Sequence, residues 1–385
     1  MKRYLIWVVG LAMFVGEISM AMAQDKPAAK AERPRIEVAF VLDTTGSMGG
    51  LIQGAKEKVW AIANTLATAK PAPEIRMGLI AYRDRGDQYT TRITNLSDDL
   101  DAVYKALMEF QADGGGDTPE SVNQALNEAV TKMSWSKDAK TLKIVYLVGD
   151  CPPHMDYKDD VKYPDTCKAA AAAGIIVNTI QCGDYAGTAQ VWKDIASRAE
   201  GAYFAVAQSG GAVAVATPFD KELAELSAAL DGTRIGYGSK EEREAMKERA
   251  KASEEVRAAA PAAAAADRAE FVAGEAGART FAGGKELVTD VSEGKVKLEQ
   301  VDEKALPDEL KKMTPEERAK YVQAQVDKRK QIQENIKKLS AKRREYVEAE
   351  MKKTGADKKD SFDKAILESV KTQAEKKGIA YEKTE

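Results

Sequence analysis

The chain has 385 residues, 44% of them hydrophobic and 31% charged, and its 58 Lys and Arg nearly balance 61 Asp and Glu to leave a formal charge of -3. Such a length accommodates one domain of about 200 residues and a further region. The charge excludes both a basic nucleic-acid footprint and a strongly acidic tail. Apolar, strand-like runs all fall before about residue 230, so the two halves of the chain differ in material.

The first residues, Met1-Lys2-Arg3 followed by an apolar run to Gly16 and then Ala21-Met22-Ala23, have the order of a secretory signal peptide. The apolar run is shorter than the roughly 20 residues of a membrane-spanning helix, so cleavage after Ala23 and a periplasmic or extracellular location are expected. Membrane attachment would require that segment to stay uncleaved. Residues 24–35 read as a solvated spacer.

A first buried strand is expected at Ile36–Leu42, ending on Asp43, and a helix follows from Leu51 to Ala69. Strands at Ile75–Tyr82 and Tyr89–Ile93 flank the polar turn Asp84-Arg85-Gly86-Asp87 as a hairpin. Next come a helix capped near Ser97-Asp98, the loop Gly114-Gly115-Gly116-Asp117, and a helix from about Pro119 to Met133. Strands at Leu142–Val148, Ile175–Ile180 and Ala202–Val206 then alternate with helices, and a last helix covers about Pro218 to Leu230. This alternation predicts an α/β, doubly wound, mostly parallel sheet with helices on both faces over residues 36–231.

Residues 232–300 read as an Ala-rich and charged linker, part helical, and 301–385 as a helical region. Thr314-Pro315-Glu316-Glu317 is a helix start, and apolar residues spaced by threes, fours and sevens from Tyr321 to Val347 predict a long amphipathic helix over 315–353. Its stripe is a candidate coiled-coil seam for self-association, although a solvated charged face is the plainer expectation.

Candidate chemistry lies where strands end. Asp43, Thr45 and Ser47 alternate on a glycine-loosened turn and can offer three oxygens to one point. Thr118, Glu120 and Asp117 add oxygens at a helix start, and Asp150 follows an apolar strand. In a doubly wound sheet such loops converge at the switch point of strand order. Hard oxygen donors without thiolate or imidazole favour magnesium, calcium or manganese.

Asp43-x-Thr45-x-Ser47, the Asp117-Thr118-Pro119-Glu120 loop and Asp150 together resemble the metal-ion-dependent adhesion site of von Willebrand factor A domains, over roughly residues 36 to 230. The resemblance implies a divalent metal, usually magnesium, that keeps a position open for an acidic group of a protein partner. Thr45 stands where many members have Ser. Either Thr118 or Glu120 supplies the middle ligand, with Asp117 acting behind it.

Three cysteines, Cys151, Cys167 and Cys182, give an odd count, so one disulfide plus one buried thiol is expected of an exported chain. Cys151-Pro152-Pro153-His154 reads as a rigid rim rather than a catalytic pair. The triple glycine lacks the Lys-Ser or Lys-Thr ending of a nucleotide phosphate loop, so no nucleotide is expected. The leading expectation is a non-enzymatic, metal-dependent binding module of the cell envelope. A scaffold acting through the C-terminal helix is the alternative, and a metal-dependent hydrolase the third reading.

Overall fold

A computed structural model describes residues 33–116, 118–356 and 360–381. The signal segment, most of the spacer and Asp117 lie outside the described residues. Among the described residues no helix is long and apolar enough to cross a membrane.

Six strands form one sheet: β1 (Arg35–Asp43), β2 (Glu74–Tyr82), β3 (Thr91–Ser97), β4 (Leu142–Gly149), β5 (Ile175–Cys182) and β6 (Tyr203–Val206). Their order is β3-β2-β1-β4-β5-β6, and only the β2–β3 pairing is antiparallel. Such a sheet needs cover on both faces, and the strand sequences show why it obtains it. On β1, Ile36, Val38, Phe40 and Leu42 enter one core while Ala39 and Val41 enter the other. The two-residue period of a strand sends alternate side chains to opposite faces.

Helices α1 (Gly49–Ala67) and α2 (Leu100–Met108) contribute to the first core, and α3 (Val122–Thr131), α4 (Tyr163–Ala172) and α5 (Thr188–Arg198) to the second. The chain leaves β1 toward β2 on one side and returns through β4 on the other, so the order reverses between β1 and β4. That reversal opens a crevice at the carboxyl edge.

After α6 (Asp220–Asp231) the chain remains helical: α7 (Lys240–Ala259), α8 (Ala262–Ala273), α9 (Glu275–Ala282), α10 (Leu287–Ser292), α11 (Asp308–Lys311), α12 (Pro315–Thr354) and α13 (Phe362–Glu375). Residues 232–300, expected as a part-helical linker, carry the four helices α7 to α10. Ala264, Ala266 and Ala269 are wholly buried, and side chains this small let α8 lie closely on α1 and α6. α13 seals the first face beside α1, with the Phe362 ring 6.1 Å from Phe40 and Ser369 Oγ 2.7 Å from Tyr146 Oη.

α12 starts as expected, with Thr314 and Glu317 exchanging side-chain-to-backbone hydrogen bonds in a capping box. Its apolar stripe is used within the chain: Val322, Ile332 and Ile336 are buried, and α12 packs on α6, α8 and α10. The proposed self-association seam over 315–353 is thus largely occupied by the chain's own helices.

Candidate metal centre

β1 delivers Asp43 fully buried to the carboxyl edge, where Thr44 N donates to Tyr82 O of β2 at 2.9 Å and ends the strand. The chain then turns back on the acid. Thr45 donates to Asp43 Oδ1 from both N (2.8 Å) and Oγ1 (2.7 Å), and Ser47 Oγ lies 3.4 Å from Thr45 Oγ1. The alternation of acid and hydroxyls in the sequence thus becomes one cluster of oxygens before α1.

The glycine loop is laced to this turn. Asp113 N donates to Thr44 O at 3.1 Å and Gly46 N to Gly114 O at 3.2 Å. Gly114 and Gly115 have φ of 75° and 77°, and a Cβ on Gly115 would sit 2.9 Å from Thr45 Cβ. Positive φ and close approach both require glycine there. Asp87 holds the loop from the other side by accepting from Gly115 N.

Beyond it the two candidates for the middle ligand part company. Thr118 is exposed, its hydroxyl 3.0 Å from Tyr185 Oη, whereas Glu120 is 3% exposed. Glu120 N donates to Pro152 O and His154 N to Glu120 O, both at 3.0 Å, which ties this loop to the one after β4.

Asp150 follows β4 beside Asp43. A Cβ on Gly149 would lie 3.1 Å from Asp43 Cβ and 2.3 Å from Tyr82 Oη, so only glycine lets the two acidic loops stand this close. Asp150 is held through its backbone by Thr188 Oγ1 (2.9 Å) and through Oδ2 by Gln208 Nε2 (2.8 Å).

Three carboxylate oxygens at this edge, Asp43 Oδ2, Glu120 Oε2 and Asp150 Oδ1, are buried without a hydrogen-bond partner. Burial raises Asp43 to about 7 against the hydrogen bonds from Thr45, and Asp150 adds to the rise. Burial likewise raises Glu120 to about 9, with Asp43, Asp84, Asp150 and Asp87 pushing the same way. Unpartnered buried oxygens that repel one another are costly unless a cation stands among them. Among the described residues no three carboxylate, imidazole or thiol groups by themselves form a metal cage. The donors fit a hard divalent ion only when the Thr45 and Ser47 hydroxyls join the carboxylates. Asp43, Thr45, Ser47, Glu120 and Asp150 are the residues that would hold it.

Asp84 and Gln208 were not singled out from the sequence. Asp84 sits in the turn expected only to close a hairpin, yet that turn lies at the same sheet edge. Ser121 Oγ (2.7 Å) and Tyr157 Oη (2.9 Å) donate to its two oxygens. Gln208 carried one signal, a polar side chain just past a strand end and before Gly210-Gly211.

The expected disulfide is not present: Cys151, Cys167 and Cys182 are all free and buried. Cys167 and Cys182 belong to the cores on opposite faces, so the sheet stands between them. Burial raises the Cys167 thiol to about 12 and pushes Cys151 and Cys182 up as well.

The family model described as von Willebrand factor A domain matches residues 37–218. An ariadne-like RING finger protein of Acanthamoeba polyphaga mimivirus is 29% identical over 119 residues, covering 31% of this chain and 11% of that protein. The von Willebrand factor A domain-containing protein 7 of Rattus norvegicus is 35% identical over 99 residues, covering 25% of this chain and 10% of the relative. The chain thus spans about a tenth of the length of these curated relatives. Among solved structures, proximal thread matrix protein 1 from the mussel byssus, with a zinc-occupied MIDAS motif, is 16% identical at a TM-score of 0.36, covering 46% of this chain and 42% of that one. With the six-stranded topology and the match over residues 37–218, that part of the chain is a von Willebrand factor A domain, and a largely helical C-terminal region follows it.

Proposed function

We propose that this chain is a non-enzymatic, divalent-metal-dependent protein-binding module, exported to the cell envelope, whose metal accepts an acidic group of a protein partner. The single observation that carries the reading is the set of buried, unpartnered oxygens on Asp43, Glu120 and Asp150 at the switch point of the sheet. Magnesium, manganese or calcium would be held there by those carboxylates with Thr45 and Ser47. The ion supplies a Lewis-acidic position for a partner's carboxylate, and the chain's own part is to keep its donors fixed and dry. Glu120 rather than Thr118 is the middle ligand in this reading, because Glu120 is the one buried at the edge. At the rim after β4, neither Cys151 nor His154 is set up as an activated nucleophile. Burial pushes the Cys151 thiol up, and His154 is stacked on Tyr157 with ring centroids 4.1 Å apart.

The test uses the mature chain from Gln24. Magnesium at 100 times its dissociation constant should raise stability by about 2.7 kcal/mol. Asp43→Ala should abolish that gain, together with magnesium-dependent capture of envelope proteins. Equal stability with magnesium and with EDTA, or capture that survives both EDTA and Asp43→Ala, refutes the reading.

A further inference from the structure

The loops at the metal edge carry far more negative charge than the chain as a whole. Among the described residues of 43–50, 83–90, 111–121, 150–162 and 183–187 there are ten Asp and Glu against four Lys and Arg, although the whole chain is nearly balanced. Three of those bases are already engaged. Arg83 donates to the carbonyls of Thr44 and Gln111, Arg85 to Asp159 and Asp160, and Lys162 to the carbonyl of Tyr157. Several acids still face solvent: the Asp113 side chain is 77% accessible although Arg83 Nη1 lies 3.6 Å from it, the Asp156 side chain is 73% accessible, and Asp184 is exposed.

These acids ring the centre. Asp113 adjoins the glycine loop that bonds to Gly46, and Asp156 is hydrogen-bonded to His154, whose backbone donates to Glu120. Asp184 precedes Tyr185, which meets Thr118. A divalent ion set among the carboxylates of Asp43, Glu120 and Asp150 still leaves one negative charge. A partner offering only a carboxylate would therefore approach a surface of its own sign, and like charges across an interface are strongly selected against.

We propose that this rim selects a partner segment in which the metal-seeking carboxylate is flanked by Lys or Arg. The proposal rests on the metal-dependent reading above and adds the chemistry of the partner. The centre takes the acid, and the rim of Asp113, Asp156 and Asp184 takes the flanking bases. Tyr185 and Met155, 46% and 50% exposed, offer apolar contact between them. Such steering acts mainly on the association rate and weakens with salt, because the screening length is about 8 Å at physiological ionic strength.

The test titrates the mature chain, loaded with manganese, with three fluorescent peptides that carry one central Glu between Lys, Ala or Glu neighbours. Manganese occupancy is read separately by electron paramagnetic resonance. The Lys-flanked peptide should bind about tenfold more tightly than the Ala-flanked one, with the gap shrinking as salt is added. The double variant Asp156→Lys/Asp184→Lys should keep its manganese, lose that preference and gain affinity for the Glu-flanked peptide. Manganese bound with equal affinity for all three peptides, or none, overturns the rim proposal and leaves the metal centre standing. Failure to bind manganese overturns the metal reading itself, and the rim proposal with it.

Discussion

Arg268 offers the sharpest test of how the C-terminal helices are joined to the A domain. It projects from α8, is 1% exposed, and bonds Asp101 of α2 through Nε and Nη2, both at 2.6 Å. Nη1 donates to Ser227 of α6 at 2.6 Å and Nη2 reaches Asp231 at 3.2 Å. Arg268→Met keeps much of the stem's volume but strands Asp101 at 8% exposure with Ser253 Oγ as its remaining donor. Breaking one partner out of a buried ion pair costs about 3–5 kcal/mol, far more than the pair contributes relative to an apolar replacement. At roughly 3 kcal/mol per molar urea, the unfolding midpoint should fall by about 1–1.7 M.

The pH dependence should change sign as well. In the native chain, burial pushes Asp101 up, but Arg268 and Ser253 outweigh it and hold the carboxyl below its ordinary value. Its contribution is therefore complete above the unfolded pKa of about 4 and is lost as pH falls through the lower folded value. Without Arg268 the burial effect dominates, the folded pKa rises above the unfolded one, and the Asp101 contribution then declines as pH climbs from about 4. Urea unfolding of both proteins between pH 3 and 8, followed by circular dichroism, reads both effects. A loss below about 1 kcal/mol, or parallel pH profiles, would refute the reasoning.

Phe362→Ala should destabilise the chain by about 3–5 kcal/mol, as removal of a core aromatic does, although residue 362 lies well beyond the family match. Tryptophan fluorescence and circular dichroism should report one common transition, and a separate early transition for the C-terminal region would count against a shared core. Gly115→Ala should remove magnesium-induced stabilisation, because its Cβ would press on Thr45 and φ is positive, whereas Gly116→Ala, with open space around it, should retain it. Thermal unfolding with and without magnesium distinguishes them, and equal behaviour of the two variants would show that the glycine contact does not shape the centre.

The order of elements was legible because the signals are local. Apolar runs of strand length ending in an acid, helices with three- and four-residue spacing, and the Thr314 capping box each depend on near neighbours in the chain. The positions of Asp43, Thr45, Ser47 and Asp150 at strand ends followed from the same runs, since a doubly wound sheet gathers its carboxyl-end loops at one edge. The C-terminal half was harder to read because alanine and charge are ambiguous in isolation. Small methyls serve a solvated linker or a tightly packed helix equally well, and the stripe on α12 suits a partner helix or the chain's own α6, α8 and α10.

Only the tertiary structure turned Thr118 outward to Tyr185 and buried Glu120, brought Gln208 to Asp150, and placed Asp84 behind the middle loop. It also placed the sheet between Cys167 and Cys182, leaving three thiols where a disulfide was expected. Each of these depends on which loops and faces meet across long stretches of sequence. A chain's local pattern determines what each segment can become, while the partner against which it is buried is decided by the packing of the whole.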